Sequence, residues 1–162
     1  MECVIFTGIP ATGKSTFYRD RFFRTHVRIN LDMLKTRRRE SILLAACLEM
    51  KQRFVVDNTN STPSDRATYI EPAKKAGFRV VGYYFPSTVE AALRRNAARP
   101  GAERIRDAGI HAIDQRMEPP VFAEGYDELH AVRIVGNGRF AIQPVKRSGV
   151  VSGGQGERPF PA

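Results

Sequence analysis

Short apolar runs alternate with longer amphipathic stretches along this chain. Five runs, at residues 3–6, 27–31, 54–56, 78–85 and 129–135, have the length and the flanking turn residues typical of buried β-strands. The stretches between them predict helices within residues 14–23, 33–51, 63–77, 87–100 and 107–117. Strands that alternate with helices are typical of an α/β fold, in which helices cover both faces of a parallel sheet of about five strands.

The boundaries of the predicted domain follow from the same pattern. Residues 1–145 form one domain, and residues 139–145 add a small edge hairpin after the turn-forming residues 136–138. From residue 146 onward the chain is rich in glycine and has no periodicity, so residues 146–162 are predicted to be a disordered tail. The helix within residues 63–77 has the clearest start signal, because Thr62, Pro63 and Asp65 fit a capping box with proline at the first helical position.

The composition excludes several classes of protein. The longest apolar run, residues 42–47, is too short to cross a membrane, and the first residues lack the basic region of a cleaved leader. Cys3 and Cys47 lie in apolar segments without metal-ligand spacing, so we interpret them as buried, reduced thiols. A cytoplasmic protein without a membrane partner is therefore expected. The pattern gives no indication of oligomeric state.

The segment GIPATGKS contains the strongest chemical motif of the chain. Gly8, Gly13, Lys14 and Ser15 satisfy the G-x-x-x-x-G-K-[ST] pattern, and the motif lies between a predicted strand and a predicted helix, as phosphate binding requires. In this pattern the lysine reaches the β- and γ-phosphates of ATP and the serine is a ligand of Mg²⁺. We therefore expect ATP to be bound by Gly8, Ala11, Thr12, Gly13, Lys14, Ser15 and Thr16.

Two acidic residues follow predicted strands at the edge of the sheet where the phosphate loop lies. Asp32 is a candidate general base that accepts the proton of an acceptor hydroxyl, but it is equally placed to cap the helix that follows. Asp57 is a candidate carboxylate for the Mg²⁺ site beside Ser15, but Asp-Asn-Thr-Asn is also typical of a turn. Position alone leaves both alternatives open for each residue.

A cluster of arginines surrounds the predicted end of the fourth helix, at residues 87–100. A solvated basic face is the ordinary interpretation of such a cluster. Alternatively, arginines beside the Pro-Gly pair at residues 100–101 form a lid that stabilises the charge of phosphoryl transfer. The residues concerned are Arg94, Arg95, Arg99, Arg104 and Arg106.

These motifs, in this order, resemble the kinase domain of the polynucleotide 5′-hydroxyl kinases, of both the phage type and the animal kinase-phosphatase type. The resemblance covers about residues 3–135 and is carried by GIPATGKSTF, RINLDMLK, VVDNTNSTPSDRATYI, RRNAAR and EPPVFAEGYDEL. It implies a P-loop NTPase fold of the adenylate-kinase-like type, a three-layer sandwich with an arginine-bearing lid. It also implies transfer of the γ-phosphate of ATP, with Mg²⁺, to a 5′-hydroxyl end of DNA or RNA.

The resemblance also implies roles for individual residues. Asp32 matches the general base of the family, and Arg99 matches the lid arginine that contacts the donor phosphates. Lys35 and Thr59 fall where the phage-type enzymes contact the phosphate 3′ to the acceptor nucleotide. Arg66 and Arg95 also fall on family-like positions, the first on the acceptor side and the second on the side of ATP. The chain departs from the family in having Leu31 where an arginine usually precedes the base.

The acceptor is open to more than one interpretation. Lys and Arg outnumber Asp and Glu by 26 to 17, and a net charge of +9 favours partners such as nucleic acid. The basic residues 37–39 fit a groove that follows a nucleic-acid backbone, although they fit a solvated helix face as well. A small-molecule kinase would use the same catalytic residues with a closed acceptor pocket. A regulatory module that hydrolyses ATP slowly is a third hypothesis, and Asp32 together with Arg99 argues against it.

Overall fold

The computed structural model describes residues 1–147, in which strands and helices alternate from the first residues onward. The strands are β1 Glu2–Thr7, β2 Val27–Ile29, β3 Phe54–Val56, β4 Arg79–Tyr84, β5 Glu128–Val135 and β6 Arg139–Pro144. The α-helices are α1 Lys14–Arg21, α2 Leu31–Leu34, α3 Arg37–Glu49, α4 Pro63–Lys75, α5 Val89–Ala97 and α6 Asp107–Gln115. Short 3₁₀ turns lie at Gly101–Glu103, Phe122–Glu124 and Gly136–Gly138.

The strands form one sheet in the order β2-β3-β1-β4-β5-β6. Strands β1 to β5 run parallel, and Val4 at the middle of β1 stands opposite Val55 on one side and Val81 on the other. Strand β6 pairs antiparallel with β5, so Val132 faces Ile142. The predicted α/β class is confirmed, and so is the predicted hairpin at the edge of the sheet.

Both faces of the sheet are covered by helices. Cys3 and Ile5 on β1 belong to one buried cluster, to which α3 and α4 contribute, whereas Val4 and Phe6 belong to a second cluster that contains Phe17 of α1. The four β1 residues are 0% exposed. A strand buried on both faces needs apolar residues at every position, which explains why this one is a continuous apolar run rather than an alternating one. The sheet and the helices on its two faces form three layers, as expected for the predicted sandwich.

The prediction of a single helix at residues 33–51 is wrong, because the structure has two helices there, α2 and α3. Helix α2 ends at Lys35, which has a left-handed φ of 68° and donates its backbone N–H to the carbonyl of Leu31. Thr36 then caps α3 by accepting a hydrogen bond from the backbone N–H of Arg39. The predicted strand at residues 27–31 is also two residues too long, since Asn30 caps α2. Side-chain capping therefore interrupts a pattern that hydrophobicity alone treats as continuous.

The predicted start of α4 is confirmed in detail. The Thr62 hydroxyl accepts from the backbone N–H of Asp65 at 3.1 Å, and the Asp65 carboxylate accepts from the backbone N–H of Thr62 at 3.1 Å. Pro63 occupies the first position of the helix, where its missing N–H costs nothing. This reciprocal capping box satisfies two of the N–H groups that the end of a helix leaves without intrahelical partners.

Two further expectations of the sequence analysis concern the C-terminal tail and the absence of a membrane-spanning segment. The predicted disordered tail at residues 146–162 lies outside the described residues, apart from residues 146 and 147. Across residues 1–147, none of the helices combines the length and the apolar character that a membrane span requires.

Gly82 lies on β4, between the central strand β1 and strand β5, and has no room for a side chain. A Cβ atom at this position would lie 2.5 Å from Cδ2 of Leu129 and 2.8 Å from Cε1 of Tyr126, both in the core. We expect Gly82→Ala to lower the free energy of unfolding by about 1–3 kcal/mol, because overpacking a close-packed core displaces its neighbours. Chemical denaturation measures this change.

Gly136→Ala is the matched control, because a Cβ at Gly136 would have no heavy atom within 4 Å. We expect its unfolding midpoint to stay close to that of the unmodified chain. Equal stability of the two variants would contradict the packing described around β4.

Candidate active site

The site lies where the carboxyl ends of β2, β3 and β1 meet at one edge of the sheet. The loop at residues 8–13, the start of α2 and the segment at residues 57–60 surround a cleft of about 360 Å³. Most of the residues that the sequence predicts for the site line this cleft, namely Ala11, Thr12, Gly13, Lys14, Ser15, Thr16, Asp32, Asp57, Thr59 and Arg99. Gly8 begins the loop and donates its backbone N–H to the carbonyl of Thr59 at 3.1 Å.

The loop after β1 has the form of a phosphate cradle. Gly13 adopts a left-handed φ of 89° and its carbonyl accepts from the backbone N–H of Phe17, so it forms the cap of α1. A Cβ at Gly13 would lie 3.0 Å from side-chain atoms of both Ile134 and Phe140, which leaves room only for glycine. The N-terminus of α1 therefore opens toward the cleft with free N–H groups and a positive dipole, a combination that binds anions.

Lys14 is folded back onto this loop. Its Nζ donates to the carbonyl oxygens of Gly8 at 2.8 Å and Ile9 at 2.7 Å, and the residue is 9% exposed. Burial lowers the pKa of Lys14 to about 8, and the charge of Arg99 lowers it as well, whereas the carboxylates of Asp57 and Asp32 oppose the shift. The ammonium group is thus held at the mouth of the loop and is easier to deprotonate than an ordinary lysine.

Asp57 is buried against the loop rather than exposed on a turn. It is 2% exposed, and its Oδ2 accepts a hydrogen bond from Ser15 Oγ at 3.0 Å. The same oxygen accepts from Nε of Arg28 at 2.9 Å and from its Nη2 at 2.5 Å. A hydroxyl and a carboxylate side by side are hard oxygen donors of the kind that Mg²⁺ uses beside phosphates. Among residues 1–147 no group of three or more His, Cys, Asp or Glu side chains is arranged to hold a metal.

Three asparagines brace the strand ends, and the sequence analysis missed all of them. Asn30 Nδ2 donates to the carbonyl of Asp57 at 2.5 Å, and Asn58 Oδ1 accepts from the backbone N–H of Leu31 at 2.8 Å. Asn60 Nδ2 donates to the carbonyl of Phe6 at 2.7 Å. These amides tie neighbouring strand ends together, because each pairs with a backbone group in, or just after, a neighbouring strand. The signal in the sequence was an asparagine at each polar strand exit.

Asp32 lies in the first turn of α2 and does not cap it. The cap is Asn30, whose side chain accepts from the backbone N–H of Met33 at 3.1 Å. The capping alternative for Asp32 is therefore wrong, and its carboxylate is exposed at the wall of the cleft. An exposed carboxylate beside a phosphate cradle is available to accept a proton from a bound hydroxyl.

The arginines around the end of α5 do not all have the same environment: one lies at the cleft, and others form a solvated basic face. Arg99 lines the cleft, and Arg94, Arg104 and Arg106 are exposed. Asn96 joins the two halves of the segment, since its amide donates to the carbonyl of Ile105 at 2.6 Å and accepts from the Ile105 N–H at 3.1 Å. Helices α5 and α6 therefore pack as one unit, and Arg99, in the segment that joins them, lines the cleft.

Arg95 supports the loop from behind. Its Nε donates to the carbonyl of Ala11 at 2.6 Å, and its Nη2 donates to Ser87 Oγ at 2.6 Å. The guanidinium thus contacts the backbone of the phosphate loop. Together with Thr12 and Ile134, Arg95 lines a second, smaller cavity of about 190 Å³. Arg95 is thus adjacent to the loop, as predicted, but outside the main cleft.

The structure places two predicted acceptor residues elsewhere. Arg66 is 0% exposed, and its guanidinium binds both carboxylate oxygens of Glu124 at 2.6 and 2.7 Å. Its Nη1 donates to the carbonyls of Asn60 and Glu118. Arg66 therefore ties the segment at residues 118–124 to α4 in the core. Lys35 is exposed at the end of α2 and is not among the residues that line the cleft.

Arg37 and Arg116 line the cleft although the sequence analysis gave neither a site role of its own. Arg37 Nη1 donates to Glu40 Oε2 at 2.7 Å and to the Tyr69 hydroxyl at 3.1 Å. Glu40 is only 4% exposed, so it anchors one side of the exposed guanidinium, and Asp32 and Asp65 line the same cleft. The first residue of the basic run at 37–39 therefore belongs to the cleft wall.

A protein-family model described as AAA domain matches residues 35–120, which is more than half of the chain. The chain therefore belongs to this family. The matched range contains α3, the strand-exit segment at residues 57–60, and helices α5 and α6.

A curated relative is the bifunctional polynucleotide phosphatase/kinase of Schizosaccharomyces pombe, which is 25% identical over 135 residues. The match covers 81% of this chain and 33% of that protein. This chain thus spans about a third of the length of the curated relative that it matches.

Solved structures of a nucleotide-bound protein and of two proteins described as kinases share the fold. Kti12 of Chaetomium thermophilum in complex with ADP-AlF3 has a TM-score of 0.62 at 17% identity, with 81% of this chain and 88% of that chain covered. A putative kinase from Chloroflexus aurantiacus has a TM-score of 0.61 at 18% identity, covering 82% and 84%. A gluconokinase from Sinorhizobium meliloti has a TM-score of 0.58 at 17% identity, covering 82% of each chain. The chain therefore has the fold of a P-loop kinase, as its sequence predicts.

The lowered pKa of Lys14 predicts how phosphate binding depends on pH. In the free chain Lys14 loses its charge as pH rises through about 8. A bound anion favours the charged form, so affinity for ADP should be nearly constant from pH 7 to 7.5 and then fall by up to about tenfold per pH unit. The terminal phosphate of ADP does not cause this fall in affinity, because it loses its last proton at about pH 6, below the range of the titration. Calorimetric titration from pH 7 to 9.5 measures the fall, and the proton taken up on binding appears as a buffer-dependent heat.

Lys75→Gln removes an exposed lysine of α4 and should leave this pH profile unchanged. An ADP affinity that stays constant up to pH 9.5, without proton uptake, would contradict the position assigned to Lys14.

Proposed function

We propose that this member of the AAA domain family is an ATP-dependent kinase that transfers the γ-phosphate of ATP to the 5′-hydroxyl end of DNA or RNA. The observation that carries the proposal is the convergence of Lys14, Asp32, Asp57 and Arg99 on one cleft at the strand ends. A nucleotide-binding module that performs no transfer needs a phosphate cradle, but it has no need of a carboxylate placed to accept a proton from a second substrate.

The donor side uses the loop and its surroundings. The N–H groups of the loop and of α1 bind the phosphates of ATP, and Lys14 leaves the carbonyls of Gly8 and Ile9 to reach the β- and γ-phosphates. Ser15 and Asp57 would hold Mg²⁺, which neutralises phosphate charge when bound. Arg99 lies across the cleft, where its charge stabilises the equatorial oxygens of the transferred group.

Transfer follows from the position of Asp32. The acceptor hydroxyl oxygen attacks the γ-phosphorus while Asp32 accepts the hydroxyl proton. A bond forms between that oxygen and phosphorus, and the bond from the γ-phosphorus to the oxygen shared with the β-phosphate breaks. The electron pair of the broken bond stays on ADP. The products are a phosphate monoester and ADP, with the proton on Asp32 released afterward to water.

The acceptor class rests on several observations taken together. The order of motifs resembles polynucleotide 5′-hydroxyl kinases, and the relative from S. pombe is by its name a polynucleotide phosphatase/kinase. Thr59 and Arg37 line the acceptor half of the cleft, and Arg37 begins an exposed basic run that suits a phosphate backbone. Arg66 is left out of this acceptor site because it is fully buried. Lys35 is left out as well, because it is exposed at the end of α2 and does not line the cleft.

A small-molecule alcohol is the alternative acceptor. The gluconokinase from S. meliloti shares the fold with a TM-score of 0.58, and the cleft volume of about 360 Å³ is in the range of small-ligand sites. Both acceptors require Asp32, so the choice between them depends on the acceptor itself.

Incubation with γ-labelled ATP, Mg²⁺ and a panel of acceptors tests the proposal. We expect label on 5′-hydroxyl oligonucleotides of DNA or RNA and none on the same oligonucleotides that already carry a 5′-phosphate. Label on nucleosides or sugar acids alone would overturn the polynucleotide assignment and favour the alternative. Release of phosphate without any labelled acceptor would overturn transfer altogether.

Asp32→Asn should lower the transfer rate by about 10²–10⁴-fold, because the amide cannot accept the proton. Binding of ADP should change little, since the substitution removes no group of the phosphate loop. Asp20→Asn, on the exposed side of α1, makes the same chemical change outside the cleft and should retain full activity. An Asp32→Asn variant as active as the unmodified enzyme would rule out this residue as the base.

A further inference from the structure

Arg28 lies on β2 and places its guanidinium between two groups of the candidate site. Nη2 donates to Asp57 Oδ2 at 2.5 Å and to Ser15 Oγ at 2.8 Å, and Nε donates to Asp57 Oδ2 at 2.9 Å. Nη1 lies 3.3 Å from Sδ of Met33, and the guanidinium carbon is 5.4 Å from the centre of the Tyr18 ring. The side chain of Asp57 is 1% exposed and that of Arg28 is 24% exposed. The sequence analysis gave Arg28 no role.

Arg28 binds Ser15 Oγ and one carboxylate oxygen of Asp57, and these are the two residues that the proposed function assigns to Mg²⁺. Asp57 Oδ2 already accepts three hydrogen bonds, two from Arg28 and one from Ser15 Oγ. A carboxylate oxygen has about two lone-pair sites, so no position on it is left for a cation. Ser15 Oγ donates to Asp57 and accepts from Arg28. A divalent cation can therefore bind Ser15 Oγ and Asp57 Oδ2 together only after the guanidinium has moved.

The position of β2 lets the guanidinium move. Strand β2 is the outermost strand of the sheet, and about a quarter of the Arg28 side chain is already in contact with solvent. The electrostatics explain why Arg28 stays in place when no other cation is near. Asp57 is almost fully buried, and a buried carboxylate without a positive partner is strongly unfavourable.

We propose that Arg28 is the resident counter-cation of the metal site and that Mg²⁺ must displace it to bind. This inference rests on the proposed function, because it takes Ser15 and Asp57 as the metal-binding pair. Arg28 and the metal then compete for one carboxylate, so each weakens the binding of the other. Arg28 stabilises the metal-free chain and lowers its affinity for a divalent cation.

The competition is measured by metal binding rather than by catalysis. Mn²⁺, which like Mg²⁺ takes carboxylate and other oxygen ligands, is titrated into the full chain in the presence of ADP, and free Mn²⁺ is followed by its electron paramagnetic resonance signal. Arg28→Gln removes the cation and should increase Mn²⁺ affinity by about tenfold or more, since hydrogen bonds to a charged group contribute about 1.5–3 kcal/mol. Arg24→Gln, which removes the same charge at an exposed position, should leave the affinity unchanged.

A second variant and a second readout guard against a loss of folding. Arg28→Lys keeps the charge but not the planar fork that bridges Asp57 and Ser15, so its Mn²⁺ affinity should fall between those of the unmodified chain and Arg28→Gln. In thermal unfolding without metal, Arg28→Gln should be less stable than the unmodified chain. Addition of ADP with Mn²⁺ should raise its midpoint by more than it raises that of the unmodified chain.

The outcomes separate this inference from the proposed function. Equal or weaker Mn²⁺ affinity in Arg28→Gln, with ADP binding intact in chelator, would overturn the competition alone and would make Arg28 a partner of the phosphates instead. Failure of the unmodified chain to bind ADP, with or without metal, would overturn the nucleotide site and this inference with it.

Discussion

The parallel pairing of β2, β3 and β1 places the carboxyl ends of three strands side by side, and the candidate site depends on this arrangement. Asparagines just after β2 and β3 bind backbone groups of the neighbouring strand ends. Asn30 binds the carbonyl of Asp57, and Asn60 binds the carbonyl of Phe6. The strand ends therefore cannot shift independently of one another. The rigid edge that results positions the phosphate loop, Asp32 and Asp57 relative to each other, although they are far apart in the sequence.

The second constraint on the cleft is that its buried charges, on Lys14 and Asp57, need partners of opposite polarity. Lys14 is buried at the mouth of the loop with its pKa lowered to about 8, and Asp57 is buried beneath it. Neither charge is solvated well, so each depends on nearby groups of opposite sign. In the described structure the loop carbonyls hold Lys14, and Arg28 holds Asp57. Binding of a phosphate ligand and its cation would exchange these internal partners for external ones.

Local motifs made much of this site predictable from the sequence. The phosphate loop is a contiguous pattern, and Asp32 and Asp57 follow apolar strands directly, so their convergence follows from the parallel sheet. The capping box of α4 was predictable for the same reason, because its residues are neighbours in the sequence. The break at residues 35–36 was not predicted, because Thr36 caps without an acidic partner at the third position and the apolar pattern runs on beyond it. The sixth strand was predicted from its turn.

Other assignments depend on distant residues and were beyond a local pattern. Arg66 matches a functional position by resemblance, yet Glu124, 58 residues away, draws it into the core. Arg28 reaches Asp57 across the gap between β2 and β3, and nothing near either residue in the sequence indicates the pair. Arg116 comes to the cleft only because α6 packs against α5.

The central claim is that this one cleft binds a nucleotide in the geometry of phosphoryl transfer. A crystal structure of the chain with ADP, Mg²⁺ and aluminium fluoride, a mimic of the transferred group, tests it most directly. The account predicts phosphates on the loop at residues 8–15, the fluoride group between the β-phosphate and Asp32, and Arg99 in contact with it. Nucleotide bound away from this loop, or an Asp32 carboxylate directed away from the fluoride group, would contradict the account.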